Sequence, residues 1–386
     1  MSRSGNWNYP TPIRFGAGKI SELPQACTDL GITRPLLVTD PGIAALPILQ
    51  DALDVMRQSG VEVVVFSQIQ GNPTGEDVDR GTAVLRSEGC DGVIAFGGGS
   101  ALDVGKAVAL MAGQRRPLWD YEDIGDWWTR VEVDKMVPCV AVPTTSGTGS
   151  EVGRCSVIVN TAEARKVIIF HAKMLPDRVI ADPNLTVGLP PKLTAAVGMD
   201  ALSHNLEAFC APGFHPMADG IALEGMRLIK DALVRAVQHG GDVDARADMM
   251  IASTMGATAF QKGLGAMHSM SHPIGAVLHA HHGLTNAIVM PYVLRFNRDA
   301  IEGKMDTLAR HLQLPTPGFD GVMRWVLELR VEIGIPHTTQ ALGFTEAHAD
   351  TLAPAAAADP TAGTNPIPLT EAHMKTLFRN ALHGQL

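Results

Sequence analysis

Short β-branched runs recur through the first half of the chain: "PLLVTD" (35–40), "VEVVVFS" (61–67), "DGVIAFGGGS" (91–100), "VPCVAVPTT" (137–145), "CSVIVN" (155–160) and "RVIADP" (178–183). Between several of them lie stretches with helical spacing of apolar residues, such as "ALPILQDALDVMRQSG" and "ALDVGKAVALMAG". This alternation predicts a largely parallel α/β sheet. From residue 191 onward the pattern changes. Apolar positions recur three and four apart, as in "MADGIALEGMRLIKDALVRAVQ", with almost no strand signal, which predicts an all-helical second half. Pro190 and Pro191 mark the boundary, because proline sits badly inside a helix or a strand. The expectation is therefore an α/β domain over 1–189 and an all-helical domain over 190–386, with "APAAAADPTAGTNPIP" (353–368) as a frayed helix end and loop. A chain of 386 residues is also longer than single cores usually grow.

Composition narrows the function classes. With 46% apolar and 18% charged residues the chain is ordinary globular protein. A net charge of -9 without a basic stripe argues against a nucleic-acid partner. The five cysteines are scattered and never form a C-x-x-C pair, so neither a disulfide framework nor a thiolate metal site is indicated, and a reducing cytoplasm suits them. No apolar run reaches the roughly 20 residues of a membrane span, and the first residues lack the apolar stretch of a signal peptide.

Two loops carry a nucleotide signal. "GVIAFGGGSALDVGKAVAL" reads as a buried strand, a turn at Gly97, Gly98 and Gly99, and a helix capped by Ser100. Glycines let a backbone approach a diphosphate, and a helix start offers it free N–H groups. A tight strand-to-helix turn is the competing reading of that stretch alone. "PTTSGTGSEV" (143–152), with Thr144 and Thr145, follows another strand and adds donors at the same sheet edge. The candidate cofactor set is Asp40, Asn72, Gly97, Gly98, Gly99, Ser100, Asp103, Thr144 and Thr145, with Lys166 joining it below. Asp40 ends the first sheet strand, where a carboxylate accepts hydrogen bonds from an adenosine ribose and repels a 2′-phosphate, so NAD is expected over NADP. A cap on the turn ahead of Pro41 is its other reading.

The densest chemistry lies in "GLGAMHSMSHPIGAVLHAHHG" (263–283), which holds five of the fourteen histidines. Asp200 and His204 are four apart, which on a helix puts carboxylate and imidazole on one face; His268 and His272 repeat that spacing. His282 lies fourteen residues beyond His268, about 21 Å along a continuous helix, so the chain has to turn back for both to share an ion. Gly275, Gly283 and "HAHHG" supply a place for that turn. One carboxylate with three imidazoles suits Fe²⁺ or Zn²⁺.

In order and spacing, "GGGSALDVGKA", "PTTSGTGSEV", "GMDALSHNLEAF", "HSMSHPIGA" and "HHGLTNAIVMPYVL" resemble the signatures of the iron-containing (group III) alcohol dehydrogenase family across nearly the whole chain. The resemblance implies a dehydroquinate synthase-like architecture: an N-terminal α/β dinucleotide-binding domain, an all-α C-terminal domain and a catalytic divalent metal in the cleft between them. It places the metal ligands on Asp200, His204, His268 and His282, and a non-ligand histidine facing the reaction site on His272. Lys166 matches a family position near the cofactor, with a solvated strand-start lysine as its alternative. The implied activity is hydride transfer between NAD(H) and a small alcohol or aldehyde, with the metal, Fe²⁺ or Zn²⁺, polarising the substrate oxygen and His272 carrying the proton.

The resemblance also implies oligomers, and "NWNYPTPIRFGAGKI" (6–20) looks like strand material seeking a partner edge, so a homodimer is expected. His281 stands where the family usually has proline, and Cys155 where relatives carry a larger or amide side chain. His279 and His281 are expected to be loop residues. A glycerol-dehydrogenase-like or maleylacetate-reductase-like enzyme of the same fold, or a nucleotide-binding protein without chemistry, are the alternatives. The complete set of four ligands speaks against the first two.

Overall fold

The computed structural model describes residues 11–163 and 165–386. Its strands are β1 (Ile13–Phe15), β2 (Pro35–Val38), β3 (Val64–Phe66), β4 (Gly92–Gly97), β5 (Cys139–Pro143), β6 (Cys155–Asn160), β7 (Arg165–Phe170) and β8 (Arg178–Ala181). The helices of the first half are α1 (Leu23–Asp29), α2 (Pro41–Ala44), α3 (Pro47–Gln58), α4 (Gly75–Ser87) and α5 (Gly99–Met111). Those of the second are α6 (Pro191–Cys210), α7 (Pro216–Gln238), α8 (Val243–Ala259), α9 (Ala266–Leu278), α10 (His282–His311), α11 (Gly318–Glu332), α12 (Glu346–Ala358) and α13 (Glu371–His383). Among the described residues, one compact unit comprises 11–145 and 149–187, and the other 146–148 and 188–386.

In the first unit six strands pair in the order β1-β8-β5-β4-β2-β3, every pair parallel. Strands buried on both faces become continuous apolar runs, and β2, β4 and β5 are buried at every position. Leu37, Ile94, Phe96, Val140, Val142 and Ile180 pack with residues of α1 and α3 on one face. On the other, α5 lies so close that a Cβ on Gly105 would come within 2.5 Å of the Ala95 Cβ.

One strand departs from expectation. "CSVIVN" does not join the parallel sheet; β6 and β7 form a separate antiparallel hairpin. The reason is visible in the burial, which alternates along β6, so that only one face is covered. The N-terminal stretch also finds a partner in its own chain, because Ile13–Phe15 pairs with β8; the part of that stretch before residue 11 lies outside the described residues.

The second unit is helical throughout. α6 is buried along most of its length, and Leu202, Leu206, Met226, Ile229, Leu233, Met249 and Ile288 form the core around it. Pro190 and Pro191 do not lie outside regular structure: Pro190 is the N-cap and Pro191 the first residue of α6, where a missing N–H costs nothing. The stretch 353–368 is likewise better ordered than a frayed end. α12 continues through Pro354 to Ala358, a 3-10 turn follows at Pro360–Thr364, and Ala353, Ala356 and Ala362 are buried in the core. Among the described residues no helix is long and apolar enough to cross a membrane.

Candidate functional site

Asp200 and His204 project from the middle of α6, His268 from the first turns of α9, and His282 from the first residue of α10. One donor atom from each lies within 4.8 Å of the other three. The chain reverses between α9 and α10, with His279 in the left-handed region at φ 53°. Neither Gly275 nor Gly283 makes that turn. Gly283 instead allows α10 to approach α6, since a Cβ there would sit 2.4 Å from the Ala196 carbonyl oxygen and 2.9 Å from the Asp200 Cβ.

The three imidazoles are held by their Nδ1 atoms. His204 Nδ1–H donates to the Gly147 carbonyl at 3.2 Å, and His268 Nδ1–H to Glu207 Oε2 at 2.6 Å. The Ser271 hydroxyl donates to the His268 carbonyl and so has a lone pair to accept His282 Nδ1–H, each at 3.1 Å. Nε2 of each ring is thereby left as a lone-pair donor, the form a metal ligand requires. Burial pushes the His204 pKa down to about 4, which keeps that ring neutral. Burial also opposes charge on His268, but the hydrogen bond and charge of Glu207 outweigh it and hold its pKa above the ordinary value.

The donor set fits a divalent cation. Asn286, one turn after His282, points its Nδ2 at Asp200 Oδ1 (2.9 Å), His268 Nε2 (3.3 Å) and His282 Nε2 (3.2 Å). An amide has two hydrogens for those three acceptors, so the pocket is rich in lone pairs and short of positive charge. Asn286 Oδ1 is buried without a partner. Asp200, His204 and His268 are at most 5% exposed, whereas the His282 side chain is 26% exposed and marks the side from which the donors are reached.

His272 stands beside this cluster. Its ring stacks on His282 (centroids 5.4 Å, planes 14° apart), and its Nδ1 is 2.8 Å from Asp359 Oδ2. His279 and His281 have backbone roles: the first ends α9, and the second caps α10 through Nδ1, which accepts the Leu284 N–H.

In the other unit the candidate cofactor residues converge on the C-terminal edge of the sheet. Gly97 and Pro143 are register partners, and Thr144 N–H donates to the Gly97 carbonyl at 2.9 Å, so the loops after β4 and β5 are side by side. Gly97 has φ 147°, and a Cβ there would lie 2.7 Å from the Ala101 Cβ, 3.5 Å from Asp40 Oδ2 and 3.8 Å from Thr39 Oγ1. A Cβ on Gly98 would meet the Thr145 side chain at 3.4 Å. The first turn of α5 has no side-chain cap, because its N-cap is Gly98 and not Ser100. Ser100 donates to the Gly71 carbonyl at 2.6 Å instead, which ties the Asn72 loop to this helix start. The hydroxyls of Thr39 and Thr144 are buried without partners. Free backbone N–H groups, glycine clearance and orphaned hydroxyls fit a dinucleotide diphosphate.

Three residues sit differently. Asp40 uses Oδ1 to cap α2 through the Ile43 N–H at 2.9 Å, while Oδ2 lies toward Gly97. The oxygens of Asp103 are engaged by the Ser150 hydroxyl and the Val157 N–H, so it braces the loop from behind. Lys166 is on β7 opposite Val159, and the Val159 N–H donates to the Pro73 carbonyl next to Asn72.

Four contributors were not singled out in the sequence. Glu207 and Asn286 continue the helical spacing of Asp200–His204 and of His282, a signal that was available. Asp359 is 87 residues from His272 and carried none. Lys106, 1% exposed in an apolar helix, holds the loop before β6 through the Ser150 and Cys155 carbonyls.

Residues 10–183 match the family model of iron-containing alcohol dehydrogenase, and residues 194–382 that of the Fe-containing alcohol dehydrogenase family, C-terminal. The chain is 42% identical over 383 residues to 4-hydroxybutyrate dehydrogenase of Cupriavidus necator, an alignment covering 97% of this chain and 99% of that protein. The crystal structure of a 1,3-propanediol oxidoreductase resembles it with a TM-score of 0.93 at 34% identity, covering 98% of this chain and 100% of that one. Sulfoacetaldehyde reductase from Bifidobacterium kashiwanohense, solved in complex with NAD+, gives 0.88 at 30% identity, with 98% and 99% covered.

Proposed function

The chain belongs to the iron-containing alcohol dehydrogenase family, and we propose that Asp200, His204, His268 and His282 hold its divalent metal ion. It is an NAD-dependent oxidoreductase of small alcohols and aldehydes. When bound, the metal supplies Lewis acidity to the substrate oxygen, while the nicotinamide ring exchanges hydride with the adjacent carbon. The observation that carries the metal assignment is the convergence of one carboxylate and three imidazoles, each ring fixed through Nδ1. Asp200 brings the one carboxylate of that set, and its negative charge tempers the acidity of the ion.

His272 is the proton carrier in this reading. Its Nε2 makes no hydrogen bond among the described residues, and the ring stands against His282 on the accessible side of the cluster. The loops at Gly97–Gly99 and Thr144–Thr145 hold the diphosphate, Asn72 and Lys166 flank them, and Asp103 supports them from within. Absorbance at the NADH band with iron-loaded protein and a panel of ethanol, 1-propanol, 1,3-propanediol and 4-hydroxybutyrate tests the activity. Cofactor binding with no turnover across the panel would favour a non-catalytic nucleotide-binding protein.

Asp40 selects NAD over NADP. A 2′-phosphate near its carboxylate meets a like charge, a penalty of a few kcal/mol at an effective dielectric of about 20, or on the order of 10²-fold in kcat/KM. Asp40→Gly is a clean test, since glycine at a helix N-cap costs only a few tenths of a kcal/mol. The preference for NADH over NADPH should fall sharply in this variant. A native preference for NADPH, or one for NADH that the substitution leaves unchanged, removes Asp40 as the selector.

A homodimer completes the proposal. β1 is the outermost strand of its sheet, and Ile13 and Phe15 are 36% and 39% exposed there, an edge that invites pairing with another chain. Light scattering should give twice the mass of one chain; a concentration-independent single-chain mass contradicts this. A cytoplasmic location accords with five cysteines that remain unpaired.

A further inference from the structure

Asp359 lies where α12 ends and the 3-10 turn at Pro360–Thr364 begins. Its two oxygens have separate partners. Oδ1 accepts from the Thr361 N–H at 2.9 Å and from the Thr361 hydroxyl at 2.6 Å, while Oδ2 faces His272 Nδ1 at 2.8 Å. The turn is in turn pinned to the start of α9: the Thr364 hydroxyl donates to the Leu264 carbonyl, and Asn365 Oδ1 accepts the Ala266 N–H. The carboxylate is therefore held at a fixed place relative to the helix that carries His272.

Burial works against charge on Asp359, but the hydrogen bonds from His272 and Thr361 outweigh it and hold the carboxyl below its ordinary value. An ionised carboxylate only accepts, so a neutral His272 has to carry its proton on Nδ1. The stacking on His282 then fixes the plane of a ring whose direction Asp359 has already set.

We propose that Asp359 is a positioning residue that locks His272 in the Nδ1–H tautomer, leaving Nε2 as the atom that takes up and returns the proton of the reacting hydroxyl. This rests on the assignment of His272 as proton carrier. Asp359→Asn reverses the arrangement with little other change. The amide oxygen keeps the Thr361 bonds, and the NH₂ group faces Nδ1 as a donor, which moves the ring proton to Nε2. A wrong tautomer at a conserved geometry is costly to proton transfer.

The experiment compares the parent, Asp359→Asn, His272→Ala and the double variant with the best substrate of the panel. It adds long-range ¹H–¹⁵N spectra of the imidazoles in zinc-loaded, diamagnetic protein, with His272→Ala identifying the resonance. Asp359→Asn should lower kcat by about 10²-fold or more with metal content and KM near the parent. The His272 proton should move from Nδ1 to Nε2, and Asp359→Asn should cause no further loss in the His272→Ala background. The melting temperature and metal content of Asp359→Asn should stay near those of the parent while the tautomer and kcat change, a split that a merely structural role of the turn does not predict. An unmoved tautomer, a kcat within 2-fold of the parent, or the same fractional loss in both backgrounds overturns the inference while leaving His272 in place. A His272→Ala enzyme as fast as the parent overturns the assignment of His272 itself, and the inference with it.

Discussion

His282→Ala and His268→Ala are each expected to empty the metal site and to lower turnover by at least about 10³-fold, the scale of several kcal/mol of Lewis-acid stabilisation. The two variants should nevertheless differ in stability. His282 is partly exposed and leans on a neutral hydroxyl, so its removal takes a donor from the Ser271 oxygen and strands no buried charge at that contact. His268 is buried against Glu207, itself 5% exposed, whose other oxygen accepts the Met267 N–H. Deleting that imidazole strands a buried carboxylate, which costs about 3–5 kcal/mol. Metal analysis, thermal melting and NADH fluorescence titration separate these effects. Both variants should lack metal, His268→Ala alone should melt well below the chelator-treated parent, and both should bind NADH as the parent does, because the cofactor loops belong to the other unit. Removing the ion from the parent with a chelator should reproduce the His282→Ala phenotype, and re-adding Fe²⁺ should restore the parent alone. Zn²⁺ is expected to refill the site without the same rate, since affinity follows the metal series and catalytic competence does not have to. Full activity in either alanine variant removes that residue from the ligand set.

The grouping of the proposed ligands was legible because helical spacing is local. Asp200 with His204, and His268 with His272, share a helix face whatever the rest of the chain does. That the chain must turn between His268 and His282 if both are to share an ion also followed from distance. Spacing alone does not say which of His272 and His282 joins the other three. In the structure these two rings have partners far apart in sequence: His282 Nδ1 is held by Ser271 with Nε2 toward Asn286, whereas His272 Nδ1 is held by Asp359, an arrangement that favours His282 as the ligand. Neither Gly147, which fixes His204, nor Asp359 carries any local mark of that role. Ser100 shows the opposite failure. A serine at a helix start reads as a cap, yet the glycine before it begins α5 and the hydroxyl is drawn to Gly71 by tertiary contact. In the same way β6 has the apolar character of a sheet strand, but its alternating burial belongs to a hairpin covered on one side.

His272→Ala should keep its full complement of metal and NAD and lose about 10²- to 10³-fold in kcat, the contribution of one positioned proton-transfer group. Retention of metal follows from geometry. The donors that converge within 4.8 Å come from Asp200, His204, His268 and His282, and Nδ1 of His272 is turned the other way, toward Asp359. A drop in rate follows from chemistry, since the hydroxyl proton released on oxidation needs an acceptor, and a neutral imidazole nitrogen has the lone pair to take it. KM should change little, because the ring stacks on His282 and is not one of the four groups that hold the ion. His272→Gln serves as the companion variant: an amide preserves bulk beside His282 but does not carry a proton, so it should be as slow as alanine. Parent-like rates in His272→Gln with slow turnover in His272→Ala would make packing the role of this side chain, and loss of metal together with loss of rate would make it a ligand.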